Sequence, residues 1–361
     1  CAFRTLLGTR PGYSSTDGTV TSYQRGALAL PRVKAGGVPL VDVLPEPLQN
    51  LLMSGSGLLR DTSDVHKDLP NDPVTVALDP AFKRKGKDYG EFLSELIMAD
   101  VLTVAKDPIE YTGLFVVPKK DGRQRLIFDT RASNEYFEDA PYSALASAES
   151  LGNMEFSLED HGDFSGLEVS APAGDVECCF YQYARPDWMI NYFCVPAVSG
   201  RHLMAEAAAK LGIRRRDGDV TLAARVVPMG WSWAVHLIQE AHLHQLARAL
   251  PGGNWVRDKR PAVPVSADTP AGILYIDNFA CIGPPSSRPS EVTEAMVTAL
   301  SDAGIISERD PVPREGFHDL LGFTLDSRLP RSSPASPTRR TTFCSRTSCS
   351  RASRWRSSSA T

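Results

Sequence analysis

The 361-residue chain has no run of about 18 apolar residues, so nothing in it is long enough to cross a bilayer as a helix. It has no leader of the secretory kind, and it begins with Cys1 rather than Met, so it reads as a piece of something longer. Its seven cysteines, at positions 1, 178, 179, 194, 281, 344 and 349, include no CxxC pair. The vicinal Cys178-Cys179 makes no disulfide framework, and a reducing compartment, cytoplasm or nucleus, is expected. Cys178, Cys179, Cys194 and Cys281 read as small core hydrophobes. No internal repeat is present. His236, His242 and His244 lack the spacing of zinc ligands and read as structural or exposed.

A basic excess is also missing. The net charge is -4, and residues 331–361 alone carry seven Arg and no acid. Taking those seven away leaves 32 Lys and Arg against 43 Asp and Glu, a net of -11 over residues 1–330. A protein that grips phosphate backbones must then do so through local basic surfaces. The candidates are Lys83–Lys87, Lys119-Lys120 with Arg123 and Arg125, and Arg214–Arg216, each of which also reads as a solvated face.

What is present suits a soluble globular chain of two or three packed units, with 42% hydrophobic and 23% charged residues. Residues 1–75 form an irregular lead-in with one short helix near Leu48–Met53. Phe92, Leu93, Leu96, Ile97 and Val101 recur at helical spacing within 88–104. Leu114–Pro118 and Arg125–Asp129 flank an Asp121-Gly122 step as a hairpin with a basic tip. Val176–Tyr183 and Met189–Val195 alternate like strands. Residues 231–249 contain no Gly or Pro and predict the clearest helix; 291–303 predict another. Phe317–Leu325 reads as late strand. Residues 331–361, with ten Ser and seven Arg, cannot offset the entropy of ordering and are expected to be disordered.

Leu274-Tyr275-Ile276-Asp277-Asn278 lies between two apolar runs. This predicts a hairpin whose polar tip is Asp277-Asn278, since Asp and Asn tolerate positive φ. A carboxylate held rigidly at such a tip suits a divalent cation, although an ordinary turn has the same pattern.

Four segments, in order, give that carboxylate company. The first is Leu114-Phe115-Val116-Val117-Pro118-Lys119-Lys120-Asp121-Gly122-Arg123, closing with Asp129-x-Arg131-x-x-Asn134. The second is Asp175-Val176-Glu177-Cys178-Cys179-Phe180-Tyr181-Gln182. The third is Val227-Pro228-Met229-Gly230-Trp231-Ser232-Trp233-Ala234, with Gln239 in the helix it opens. The fourth is Tyr275-Ile276-Asp277-Asn278, and Leu320-Leu321-Gly322-Phe323 follows. Together, over about residues 90–326, they resemble the blocks of retrotransposon-type reverse transcriptases.

The resemblance implies an α+β polymerase with fingers from about 76–170 and a palm from about 171–330. The palm would be a mostly antiparallel sheet of three or four strands, backed by helices 231–249 and 291–303, with the thumb absent or truncated. It implies transfer of a nucleotide from a dNTP to a primer 3′ end on an RNA or DNA template, with Mg²⁺, or Mn²⁺ in its place, as the cofactor. Asp175, Asp277 and Asn278 would be catalytic, and the metal ligands would be Asp175, Asp277 and the carbonyl of Val176. Lys119, Arg125, Val176, Phe180, Met229 and Gly230 would meet the nucleotide. A bulky Phe180 under the sugar would exclude a 2′-OH. Tyr275, Ile276, Leu321 and Gly322 would contact primer or template. Asp129 and Arg131 would brace rather than react, and Gln239 would pack or cap a neighbour.

Three features depart from the pattern. Asn278 stands where the family has a second acid. Asp175 and Asp277 are 102 residues apart in the sequence. No RNase H or integrase pattern appears. The alternative is a catalytically inactive or truncated remnant acting at most as a nucleic-acid-binding module. Oligomeric state is left open.

Overall fold

A computed structural model describes residues 21–32, 34–61, 76–82, 86–119, 121–156, 169–250, 252–266, 268–311, 317–320, 323–326 and 344–345. The fold is mixed α/β with predominantly antiparallel sheets. No described helix is long and apolar enough to cross a membrane. The chain divides into two compact units, one of residues 1–141 and 178–235, the other of 142–177 and 236–361.

In the first unit the 88–104 periodicity gives a helix at Lys87–Met98, which buries Phe92, Leu93, Leu96 and Ile97. The helix stops earlier than its apolar spacing suggests. Asp100 takes a left-handed conformation (φ 62°), and Leu102–Val104 continue as a strand. Asp100 is held there by Lys210 at 3.0 Å and Arg225 at 3.3 Å. That strand pairs with Asp219–Ala224, which pairs in turn with Cys194–Ser199, giving a three-stranded antiparallel sheet.

The basic hairpin forms as Gly113–Pro118 against Gln124–Asp129, with Gly122 supplying a positive φ of 81°. Two expected strands are corrected. After Val176 the backbone turns through Cys178 (φ 47°) into a helical turn, Cys179–Gln182, and 187–192 form a 3₁₀ helix before the strand at Cys194. Alternation alone did not distinguish these short half-buried helical turns from strands.

The second unit is built on five strands in the order Trp255–Val256, Ala271–Tyr275, Asn278–Ile282, Ala173–Val176 and Ser307–Arg309. All neighbours are antiparallel except Trp255–Val256, an added parallel edge strand. Helix Pro289–Asp302 packs against three of these strands. The helix expected at 231–249 runs from Ala234 to Leu246. Ala146, Leu151, Met154, Val256, Val265, Ile273 and Ile282 belong to the buried core of this unit.

One contact fixes the central register. Phe279 pairs with Gly174, where an added Cβ would lie 2.5 Å from the Phe279 ring and 2.8 Å from the Glu308 carbonyl. A one-residue slip would set that ring against a residue with a side chain and turn the strand's faces over.

Cys179, Cys194 and Cys281 are buried and Cys178 is half-buried, all as free thiols. Burial pushes the Cys194 and Cys281 thiols up to about 12, as suits packing groups. Phe317–Leu320 pairs with Phe323–Asp326, and Cys344–Ser345 adds a third short strand. Leu321, Gly322 and the rest of the Ser/Arg-rich tail lie outside the described residues.

Candidate active site

The tip of the Asp277 hairpin is not the Asp277-Asn278 pair. Tyr275 pairs with Asn278, so the two-residue turn is Ile276-Asp277 and Asn278 opens the returning strand. Ile276 carries the positive φ, 58°, a conformation that a β-branched side chain rarely adopts. Positive φ at the first central position alone is the pattern of a type II′ turn, where Gly is usual. The pairing of Tyr275 with Asn278, continued through Leu274 with Phe279, places the turn against the local preference of Asp and Asn.

Four hydrogen bonds grip the strained turn. The Ile276 amide donates to Gln239 Oε1 at 2.8 Å, and Gln239 Nε2 donates to the Leu274 carbonyl at 3.4 Å. His242 Nδ1 and the Ile276 carbonyl lie 2.6 Å apart. A carbonyl only accepts, so Nδ1 carries the proton. The Val176 amide donates to the Asp277 carbonyl at 2.8 Å. Gln239 and His242 are both buried, three residues apart on one helix, and so face the same way. Burial drives the His242 pKa down to about 4, opposed by its bond to Ile276, so the ring is neutral near pH 7. Such over-determination is what allows a strained residue to persist.

The same sheet brings Asp175 to this turn. Asp175 pairs directly with Asn278 on one side and with Glu308 on the other. Directly opposed residues project from the same face, so Tyr275, Asn278, Asp175 and Glu308 form one row across four strands. Asn278 Nδ2 donates to Asp277 Oδ1 at 2.8 Å. Among the described residues no group of three or more His, Cys, Asp or Glu side chains converges as a metal cage. The oxygens that this turn and the adjoining strand offer are the Asp175 and Asp277 carboxylates and backbone carbonyls, all hard. Mg²⁺ fits such a set because it keeps several waters and takes few protein ligands.

Lys119, Arg125, Phe180, Met229 and Gly230 belong to the first unit. Lys119 Nζ is 3.8 Å from Asp121, which Arg123 also engages at 2.8 Å. Arg125 is exposed on the hairpin. Burial raises the Tyr181 phenol pKa, and the Arg125 charge opposes that rise.

The first and third sequence blocks interlock. Asn134 Nδ2 donates to the Gly230 carbonyl at 3.0 Å, and the Ser232 amide donates to Asn134 Oδ1 at 3.0 Å. A Cβ on Gly230 would lie 2.6 Å from the Phe128 carbonyl, so only Gly fits. Asp129 takes two bonds from Arg131 at 2.7 Å and one from the Ala77 amide at 2.6 Å. These bonds hold its carboxyl below the usual range against the effect of burial. Trp231 packs on Phe137 at 5.4 Å, and Trp233 Nε1 donates to the Glu138 carbonyl at 2.7 Å.

Sequence reasoning missed the grip of His242 and the placement of Glu308. The helix periodicity put His242 on the Gln239 face, a usable signal, whereas nothing local marks Glu308.

No family profile matches this sequence, and no curated protein does. Among solved structures, it is similar to a foamy viral protease–reverse transcriptase determined in complex with double-stranded DNA. The identity is 17% and the TM-score 0.45, over 82% of this chain and 48% of that one. The chain thus spans about half the length of that protein.

Proposed function

We propose that this chain is the palm-and-fingers part of an RNA-directed DNA polymerase of retroelement type. The observation that carries the reading is the sheet register that sets Asp175 beside the Asp277 turn, from positions 102 residues apart. The order of the sequence blocks and the interlock of the first with the third support it.

In this reading Asp175 and Asp277 hold the metal ions, with the Val176 carbonyl as a further donor. Mg²⁺, when bound, supplies activation of the primer 3′ oxygen and neutralisation of phosphate charge. The protein supplies position: Gln239, His242 and Val176 hold the Asp277 backbone fixed, so no reorganisation is needed during the reaction. Lys119, Arg125, Met229 and Gly230 are assigned to the dNTP, Phe180 to sugar discrimination, and Tyr275 and Ile276 to primer or template.

A second reading, an inactive remnant, is favoured by one observation. The Asn278 amide occupies an oxygen of Asp277 where a second acid would stand. A primer-extension assay on an RNA template with Mg²⁺ decides between them. The polymerase reading expects elongation by the native chain and none by Asp175→Ala. Elongation by Asn278→Asp but not by the native chain, under Mg²⁺ or Mn²⁺, would establish the remnant.

A further inference from the structure

The parallel edge strand Trp255–Val256 places a basic loop at the catalytic end of the sheet. Trp255 pairs with Gly272 and Val256 with Ile273, in the same direction. The chain therefore leaves this strand, at Arg257-Asp258-Lys259-Arg260, at the end where its neighbour reaches Tyr275, Ile276 and Asp277. With strands about 4.8 Å apart, the loop departs within roughly 5–10 Å of the Asp277 turn.

The segment before Ser147 is stitched to the same place. The Asp258 amide donates to the Leu145 carbonyl at 3.0 Å, and the Ala146 amide to the Leu274 carbonyl at 3.5 Å. This presents Tyr142, 61% exposed, with Lys259 Nζ over one face of its ring at 4.4 Å from the centroid. Asp258 is the only acid in residues 252–266. Its carboxylate is tied to the Tyr142 hydroxyl at 2.5 Å and to Ser147 Oγ at 2.9 Å. Among the described residues, neither Arg257 nor Arg260 has an ion-pair partner. Three cations against one engaged acid, beside an exposed ring, stand out in a chain whose first 330 residues carry a net charge of -11.

We propose that Arg257, Lys259, Arg260 and Tyr142 form a contact surface for an unpaired nucleic-acid strand at the edge of the Asp277 turn. The cations would take phosphodiester oxygens and the Tyr142 ring would take a base, a combination that is indifferent to sequence. The proposal rests on the polymerase reading of the neighbouring carboxylates.

The test is the anisotropy of labelled oligothymidine and oligouridine titrated with the full chain over a salt series. Replacing Arg257, Lys259 and Arg260 together by Ala is expected to weaken binding about tenfold or more. It should also flatten the log–log salt slope by about 2, at roughly 0.7 per lost phosphate contact. Tyr142→Ala is expected to weaken binding about tenfold with the slope unchanged, as loss of stacking requires. If the triple variant misfolds, Arg260→Glu, at an exposed site, is read in the same way, with the slope flattened by roughly 0.7 for its one contact. Unchanged affinity and slope in a folded variant would overturn this surface and leave the polymerase reading standing. Failure of the native chain to bind either strand would overturn both. Competition by oligoglutamate as effective as that by oligothymidine would overturn the choice of nucleic acid as partner.

Discussion

The buried ring of His242 donates a hydrogen bond through Nδ1 to the Ile276 carbonyl at 2.6 Å, fastening the one strained β-branched residue of the Asp277 turn. Removing the donor leaves a part-buried carbonyl without this partner, which costs up to about 1–3 kcal/mol. His242→Leu is therefore expected to lower the melting temperature and to reduce kcat of primer extension more than the KM for dNTP. His242→Gln, which keeps a donor, should recover part of the loss. A change in KM alone would argue against a positioning role.

The same histidine makes stability depend on pH. Its folded pKa of about 4 lies below the ordinary 6.5, so the unfolded chain binds the extra proton first. Its contribution is complete above about pH 6.5 and is lost as pH falls toward 4. The difference is on the order of 3 kcal/mol. Chemical denaturation at a series of pH values should show this decline, and His242→Gln should flatten it. An unchanged slope in the variant would assign the pH dependence to other groups.

If Asp175 and Asp277 hold the metal ions as proposed, Asp175→Asn and Asp277→Asn should each reduce primer extension by about a thousandfold or more, the lost charge being worth several kcal/mol to the transition state. Melting temperature, measured alongside, separates loss of activity from loss of fold. Retention of activity within tenfold in either variant would be incompatible with their assignment.

Gly174→Ala tests the register itself. The added methyl would collide with the Phe279 ring and the Glu308 carbonyl, an overpacking that costs about 1–3 kcal/mol. The variant should melt earlier and lose activity though it touches no substrate. The double variant Gly174→Ala with Phe279→Leu should recover only part of the stability, since the clash with the Glu308 carbonyl remains, as read by thermal melting.

Phe180→Ala should leave dNTP incorporation measurable and raise rNTP incorporation, by about tenfold or more relative to dNTP, if the ring excludes the 2′-OH. Competitive extension with both substrates measures this ratio. An unchanged ratio would return Phe180 to a packing role.

Much of the frame is legible in the sequence. The helices at 87–98, 234–246 and 289–302 follow from apolar spacing and good helix formers, and the 113–129 hairpin from its Asp-Gly step. Asp277 stood out because it lies in a turn between two apolar runs, whereas Asp175 was singled out only through the resemblance of the blocks. The errors fall where the local signal is degenerate. Four-residue helical turns such as Cys179–Gln182 alternate like strands, and Trp255–Val256 is too short to announce itself.

The sequence by itself determined which segments could be helix or strand, where the acids and cations lie along the chain, and the order of the blocks. Those properties depend on neighbours a few residues away. The tertiary structure alone decided that Ile276 rather than Asn278 bends, that Gln239 and His242 clamp that bend, and that Glu308 and Asn278 flank Asp175. It also decided that Arg257–Arg260 emerges at the end of the sheet that carries the Asp277 turn. These follow from pairings and hydrogen bonds between segments far apart in the sequence, among them Asn278 with Asp175, whose register the ring of Phe279 fixes by fitting only where Gly174 leaves room for it.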